Sequence, residues 1–231
     1  ITPLASVLVN RLTGSRTIIT RKMQTPPSLT YEQKLKLDDL AERLIASEEP
    51  VTILIDGHEA EISEYLIKKL PNARVVMDGG SLRASNIKLA AWTDYFVVSE
   101  HFARDYMSYR SLSTEAEIKA ALIELNKICR GEAFITLGEK GCAFLKSGML
   151  QIVPSWLCNA VDTTGAGDVF HGAFTYGVHY SWHIDNIILF ASLTAAISIE
   201  KKGVRESMPD LAVVHHSLNS YERNLTQYFE E

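Results

Sequence analysis

Apolar residues recur with helical spacing in the longer segments of this chain and cluster in short runs between them. Residues 31–46 carry leucine and isoleucine near one helical face, and Thr30 stands before them as a candidate capping residue. This pattern predicts a helix. The uninterrupted apolar run at residues 51–55 predicts a buried strand that ends at Asp56.

The same two patterns alternate through the rest of the chain. Helical spacing covers residues 59–70, 82–91, 100–106, 114–129, 167–180 and 185–201, and strand-like runs cover 74–77, 95–98 and 133–136. This alternation predicts a mostly parallel sheet with helices on both faces. Short strands with glycine turns should continue to about residue 153, and Gly203 is expected to end the last helix.

The N-terminal residues have a different pattern. Residues 6–20 contain two β-type runs around a turn with Gly14, which predicts a hairpin. The segment from Met23 to Ser28 contains two prolines and is interpreted as a linker.

Composition narrows the class of protein. The chain has 231 residues, 46% of them hydrophobic, and a formal charge of −5. The negative charge does not provide the basic surface that binds nucleic acid, so a nucleic-acid partner is not expected. No apolar run is long enough to predict a membrane span. The cysteines, Cys129, Cys142 and Cys158, are odd in number and scattered, which favours reduced thiols in a cytoplasmic protein.

Candidate chemistry is concentrated at residues 161–170. Asp162 and Asp168 flank a Thr-Thr-Gly-Ala-Gly turn that precedes a predicted helix. Small residues at such a turn allow backbone N–H groups to point at an anion. An acid at its end repels phosphate, but it fits a base that removes a proton from an attacking hydroxyl. The alternative is a loop–helix junction with Asp168 favoured by the helix dipole. His171, one turn further on, is interpreted as a packed helix histidine.

This string resembles the C-terminal signature of the ribokinase-like carbohydrate kinases, the PfkB family. The resemblance implies that Asp168 is the catalytic base and that the N–H groups of Gly165, Ala166 and Gly167 form an anion hole. It implies that Asp162 holds a substrate hydroxyl or shapes a cation site. A dinucleotide-dependent dehydrogenase is excluded, because no Gly-x-Gly-x-x-Gly motif follows a first strand.

Two further segments are similar to the family. Residues 135–141 resemble its nucleotide turn, which implies nucleotide binding at Thr136, Gly138 and Gly141; a β-hairpin with glycines at positive φ explains the segment equally well. Residues 195–204 resemble the closing helix and the loop behind the catalytic turn, and a helix C-cap is the alternative.

By position, the closing segment implies a monovalent cation, K⁺, at Asp162, Thr164, Gly203 and Ser207. The acidic and glycine residues that follow predicted strands, at Asp56 and at residues 78–80, are expected at the ligand-binding edge of the sheet.

The resemblance implies a three-layer ribokinase-like α/β fold. Residues 1–25 would form part of a small β lid, similar to that of ketohexokinase-type members and able to form a homodimer. Residues 26–231 would form the nucleotide- and sugar-binding domain. We expect the family's N-terminal strands to be missing from this chain. Its Asn-x-x-Glu motif is also replaced, by residues 99–102.

The implied function is ATP- and Mg²⁺-dependent transfer of the γ-phosphate to a primary alcohol of a small sugar. Two alternatives stay open. One is a nucleoside kinase of the same fold, and the other is a family member that binds nucleotide or sugar without catalysis.

Overall fold

The structure is a computed structural model that describes the backbone of residues 4–9 and 16–21 and all of residues 28–218. Strands β1 (Leu4–Val9) and β2 (Arg16–Arg21) pair antiparallel, with Leu4 opposite Arg21. The predicted hairpin is thereby confirmed. Its turn and nearly all of the predicted linker lie outside the described residues.

Six further strands form one sheet, ordered as they follow along the chain. They are β3 (Thr52–Ile55), β4 (Arg74–Gly79), β5 (Tyr95–Ser99), β6 (Glu132–Thr136), β7 (Cys142–Lys146) and β8 (Met149–Val153). The first four pair in parallel, whereas β7 and β8 are added antiparallel. The predicted mostly parallel sheet is therefore confirmed.

Helices lie before, between and after these strands. They are α1 (Tyr31–Ala46), α2 (Ala60–Lys69), α3 (Ala84–Ala90), α4 (Glu100–Tyr106), α5 (Glu115–Asn126), α6 (Ala166–His179) and α7 (Ile184–Ser198), followed by a helix at 211–218 that the sequence analysis did not predict. Thr30 caps α1 in a capping box with Gln33, as its position predicted.

Alternate strand residues bury opposite faces of the sheet, because successive side chains of a strand point to opposite sides. Val75, Met77 and Phe96 pack in one core with α2 to α5. Val76 and Val97, their neighbours, pack in a second core with α6 and α7. The result is three layers, helix on sheet on helix, as predicted.

The end of α7 differs from the prediction. The helix stops at Ser198 rather than at residue 201, and Gly203, at φ +86°, lies in the turn beyond. The cause is tertiary: the carbonyl of Ile199 accepts the N–H groups of Val161 at 2.7 Å and Asp162 at 3.1 Å. These bonds anchor residues 161–170, the signature segment, to the end of α7.

Cys129, Cys142 and Cys158 are all free thiols, as expected, and Cys142 is buried. None of the helices in the described part of the chain is long and apolar enough to cross a membrane.

Candidate active site

A cavity of about 410 Å³ opens at the carboxyl ends of β3 and β4, beside the N-terminus of α6. Its polar wall is mostly acidic, formed by Asp56, Glu59, Asp78 and Asp168, together with Ser63 and His171. Ligands of open parallel sheets bind at this edge. The expected positions of Asp56 and Asp78 are therefore confirmed, whereas Glu59 was not anticipated; its place just after a strand end was the available signal.

The turn before α6 requires glycine at position 165. Gly165 is the N-cap residue and has φ +78°, in the left-handed region. A Cβ atom there would lie 2.5 Å from Cγ1 of Val204. Gly167 is different, since a Cβ atom would meet nothing within 4 Å. The backbone at Gly167 is therefore open to the approach of a ligand.

The N–H groups of this turn form the start of a helix. The first N–H groups of any helix have no acceptor within the helix and carry its positive dipole end. The N–H of Ala166 lies 3.3 Å from the carbonyl of Thr163, so it is partly used within the turn. The arrangement can bind an anion at the N-terminus of α6.

Asp162 braces the turn from outside the cavity. Its Oδ1 accepts the N–H of Thr164 at 3.0 Å, and its Oδ2 accepts the N–H of Gly203 at 3.3 Å. It does not line the cavity that holds Asp168. The structure thus brings Asp162, Thr164 and Gly203 together in one hydrogen-bonded group.

Thr164 contributes an unusual atom to this group. Its Oγ1 is buried and has no hydrogen-bond partner among the described residues. Buried polar atoms are normally paired, so this oxygen is available to a ligand. Ser207, the fourth residue of the expected cation site, is buried and donates its hydroxyl to the carbonyl of Val204 at 3.4 Å.

Two of the three aspartates that line the cavity, Asp168 and Asp78, have different environments. Asp168 is exposed in the first turn of α6, and its carboxylate makes no hydrogen bond or ion pair with residues 28–218. Asp78 is mostly buried, and this burial raises its pKa above the ordinary value. The nearby charge of His171 opposes the shift, while the charges of Asp168 and Asp56 add to it.

His171 is buried, as interpreted from the sequence, but it is also a polar member of this site. Its side chain is within hydrogen-bonding distance of Gly167 and Val97 and close to Asp78. The sequence signal was its spacing, one helical turn after Asp168. Its strand partners could not be found from that spacing.

The segment that resembles a nucleotide turn forms the connection between β6 and β7. Thr136 ends β6, and Gly138 and Gly141 have φ +60° and +103°. A Cβ atom on Gly141 would lie 2.0 Å from the carbonyl oxygen of Val153, whereas one on Gly138 would meet nothing within 4 Å. The hairpin interpretation therefore accounts for Gly141, while Gly138 leaves the backbone accessible.

Ser99 occupies the place where the family's Asn-x-x-Glu motif would begin. It caps α4, since its Oγ accepts the N–H of Phe102 at 3.0 Å and donates to the carbonyl of Gly80 at 3.0 Å. Its hydroxyl is therefore engaged in holding the ends of β4 and β5 together.

The fold and the site together define an α/β protein with a glycine turn at the N-terminus of α6 and, within residues 28–218, an unpaired carboxylate at the ligand-binding edge of its sheet. Residues 80–211, more than half of the chain, match the pattern of the pfkB family carbohydrate kinases. The chain belongs to this family.

Similar proteins agree with this assignment. A ribokinase of Lactococcus lactis is 29% identical over 189 residues, covering 82% of this chain and 60% of that protein. A ribokinase structure from Thermotoga maritima has a TM-score of 0.72 at 23% identity, covering 94% of this chain and 70% of that one. An Arabidopsis thaliana ribokinase complexed with ribose and ATP has a TM-score of 0.69 at 21% identity, covering 92% and 67%.

These structures confirm the ribokinase-like three-layer fold. The chain spans 60% of the length of the Lactococcus relative.

Proposed function

We propose that the protein is an ATP-dependent phosphotransferase that moves the γ-phosphate to a primary alcohol of a small sugar. The observation that carries the proposal is the Asp168 carboxylate. It lines the acidic cavity, is exposed, and lies in the first turn of a helix whose N-terminal turn can bind an anion. A base beside a phosphate cradle is what phosphoryl transfer to an alcohol requires.

The residues have defined roles in this mechanism. Asp168 accepts the proton of the sugar hydroxyl, and the hydroxyl oxygen attacks the γ-phosphorus as the bond to the leaving ADP oxygen breaks. The N–H groups of Gly165, Ala166 and Gly167 stabilise the negative charge on the phosphoryl oxygens. The proton on Asp168 then returns to solvent with product release.

Asp168 is a better base than Asp78, although both line the cavity. Asp78 is mostly buried and lies beside His171, so its carboxylate is engaged and poorly accessible. The Asp168 carboxylate, by contrast, has no protein partner in residues 28–218 that would compete for the incoming hydroxyl.

The residues fit the cofactors that the family resemblance implies. Mg²⁺ would be bound mainly through nucleotide phosphates and water, where it would neutralise phosphate charge. The unpaired Oγ1 of Thr164 supports K⁺ at Asp162, Thr164, Gly203 and Ser207.

We assign the nucleotide and the sugar to different places along the ligand-binding edge of the sheet. The open backbone at Gly138 supports a nucleotide site at Thr136, Gly138 and Gly141, and the Arabidopsis ribokinase complexed with ribose and ATP supports ATP as the donor. Asp162 is proposed to bind a sugar hydroxyl, as the family resemblance implies, although it does not line the cavity that holds Asp168. Residues 1–25 are proposed to be a lid that also forms a homodimer, and residues 26–231 the domain that it covers.

The test is ATP turnover by the full-length protein with a panel of sugars and nucleosides. We expect turnover with a sugar and a loss of about 10²–10⁴-fold in Asp168→Asn. The matched control is Asp39→Asn, on the exposed face of α1, which should keep full activity. Full activity in Asp168→Asn would refute the assignment, and ATP binding without turnover on any substrate would identify a non-catalytic binder.

A further inference from the structure

We propose that His171 is a positioning residue that carries a proton on both ring nitrogens and clamps the anion-binding turn to strands β4 and β5. Its catalytic consequence rests on the phosphotransfer function proposed above. The protonation of His171 and its contacts do not rest on that function, and they can be tested separately.

The surroundings of the ring carry the first step. His171 is only 3% exposed. Its Nδ1 lies 2.6 Å from the carbonyl oxygen of Gly167 and 3.3 Å from Oδ2 of Asp78, while its Nε2 lies 3.1 Å from the carbonyl oxygen of Val97. Carbonyl oxygens only accept hydrogen bonds. Both ring nitrogens therefore face an acceptor.

A neutral ring does not fit these contacts. Neutral imidazole has one N–H, so its other nitrogen would point a lone pair at a carbonyl oxygen, and the ring is almost fully buried. Such an unsatisfied buried contact is costly. A protonated Asp78 could donate to Nδ1, but the lone pair on Nδ1 would then also face the Gly167 oxygen at 2.6 Å. The imidazolium satisfies every contact.

The charges around the ring favour this form. Carboxylates face the cavity from each element that borders it: Asp56 after β3, Glu59 before α2, Asp78 on β4 and Asp168 on α6. Neither lysine nor arginine is among the described residues that line the cavity. The imidazolium is thus the one positive side chain in that described wall, and Asp78 is its nearest counter-ion.

The clamp acts through one peptide group. The carbonyl of Gly167 and the N–H of Asp168 belong to the same planar peptide unit. The backbone N–H of His171 is the ordinary helical partner of this carbonyl oxygen, and the ring adds a second contact that helps to hold the direction of the Asp168 N–H in the first turn of α6. Because Val97 and Asp78 belong to β5 and β4, the turn and Asp168 are held in register with the strand ends where substrates bind.

The first test is spectroscopic and needs no substrate. In full-length protein labelled with ¹⁵N-histidine, NMR should show both ring nitrogens of His171 protonated at a pH well above the ordinary pKa of histidine, about 6.5. Assignment comes from the signal lost in His171→Gln, or from through-bond correlations if that variant does not fold. A single ring N–H at neutral pH would overturn the proposal.

The second test separates positioning from a purely structural role. In folded His171→Gln we expect kcat to fall by about 10²-fold, the effect of a small misplacement of reacting groups, with a much smaller change in the KM for ATP. The matched control is His179→Gln on the same helix, which contacts Thr52 away from the cavity and should keep the wild-type kcat.

The two proposals fail in distinguishable ways. An unchanged kcat in folded His171→Gln would refute the clamp and leave the kinase assignment intact. Absence of turnover in the wild-type protein would refute the kinase assignment, and the NMR measurement would still decide the state of His171.

Discussion

Gly203 donates its backbone N–H to Oδ2 of Asp162 across 3.3 Å, and this bond joins the signature segment to the turn after α7. The other carboxylate oxygen of Asp162 accepts the N–H of Thr164 at 3.0 Å. One side chain therefore holds two segments that are 41 residues apart in the chain. The shape of the glycine turn before α6 depends on this brace.

Asp162→Asn should destabilise the protein. An amide keeps one acceptor oxygen, so its NH₂ group would face the N–H of either Thr164 or Gly203. We expect a loss of about 1–3 kcal/mol in the free energy of unfolding, measured by urea denaturation. The surface variant Asp39→Asn is the control and should stay within about 0.5 kcal/mol of wild type. Equal stability of the two variants would contradict the brace.

Gly165→Ala and Gly172→Ala should change stability in opposite directions. At position 165 the backbone is left-handed and the new Cβ atom would meet Val204, so we expect a cost of about 2–4 kcal/mol. At position 172, inside α6, nothing lies within 4 Å of the new Cβ atom. There alanine should stabilise by about 0.5–1 kcal/mol through its higher helix propensity. Thermal unfolding of both variants measures the difference, and two shifts of the same sign would contradict the turn geometry.

The stability contributed by Asp78 should decrease as the pH rises. Folding raises its pKa above 3.8, mainly through burial, so the folded state binds this proton more tightly than the unfolded state. The contribution is therefore full below pH 3.8 and is lost as the pH rises through the raised value.

This pH dependence is measured against Asp78→Asn, which cannot titrate. The unfolding free energy of wild type minus that of the variant should fall with rising pH and then level off. A difference that is constant across this range, or one that increases, would contradict the raised pKa.

Gly138→Ala and Gly141→Ala separate backbone access from packing. Gly141→Ala brings a Cβ atom within 2.0 Å of the Val153 carbonyl oxygen and should strongly destabilise the β7–β8 pair. At position 138 a new Cβ atom would have open space around it. Gly138→Ala should therefore lower the free energy of unfolding by only about 1–2 kcal/mol, because the backbone there is left-handed. If nucleotide approaches here as proposed, Gly138→Ala should also raise the KM for ATP. An unchanged KM would remove Gly138 from the nucleotide site.

Local signals predicted most elements of the fold. The cap at Thr30 and the apolar face that follows it predicted α1. Together with the glycine turns, such local signals also predicted the main strands, with small errors at the ends of the elements. The end of α7 was predicted wrongly, since its sequence remains compatible with a helix beyond Ser198. The carbonyl of Ile199 is instead engaged by Val161 and Asp162, and such a contact has no local sequence signal.

The sequence by itself determined the layered α/β architecture, the glycine turn and the candidate base Asp168, because short-range periodicity and residue chemistry carry that information. Only the tertiary structure decided that Asp78 and His171 share a buried contact, that Asp162 braces two distant segments, and that Glu59 joins Asp56 in the cavity wall. These relationships join residues far apart along the chain. They depend on strand order and helix packing, which bring together side chains that no local spacing connects.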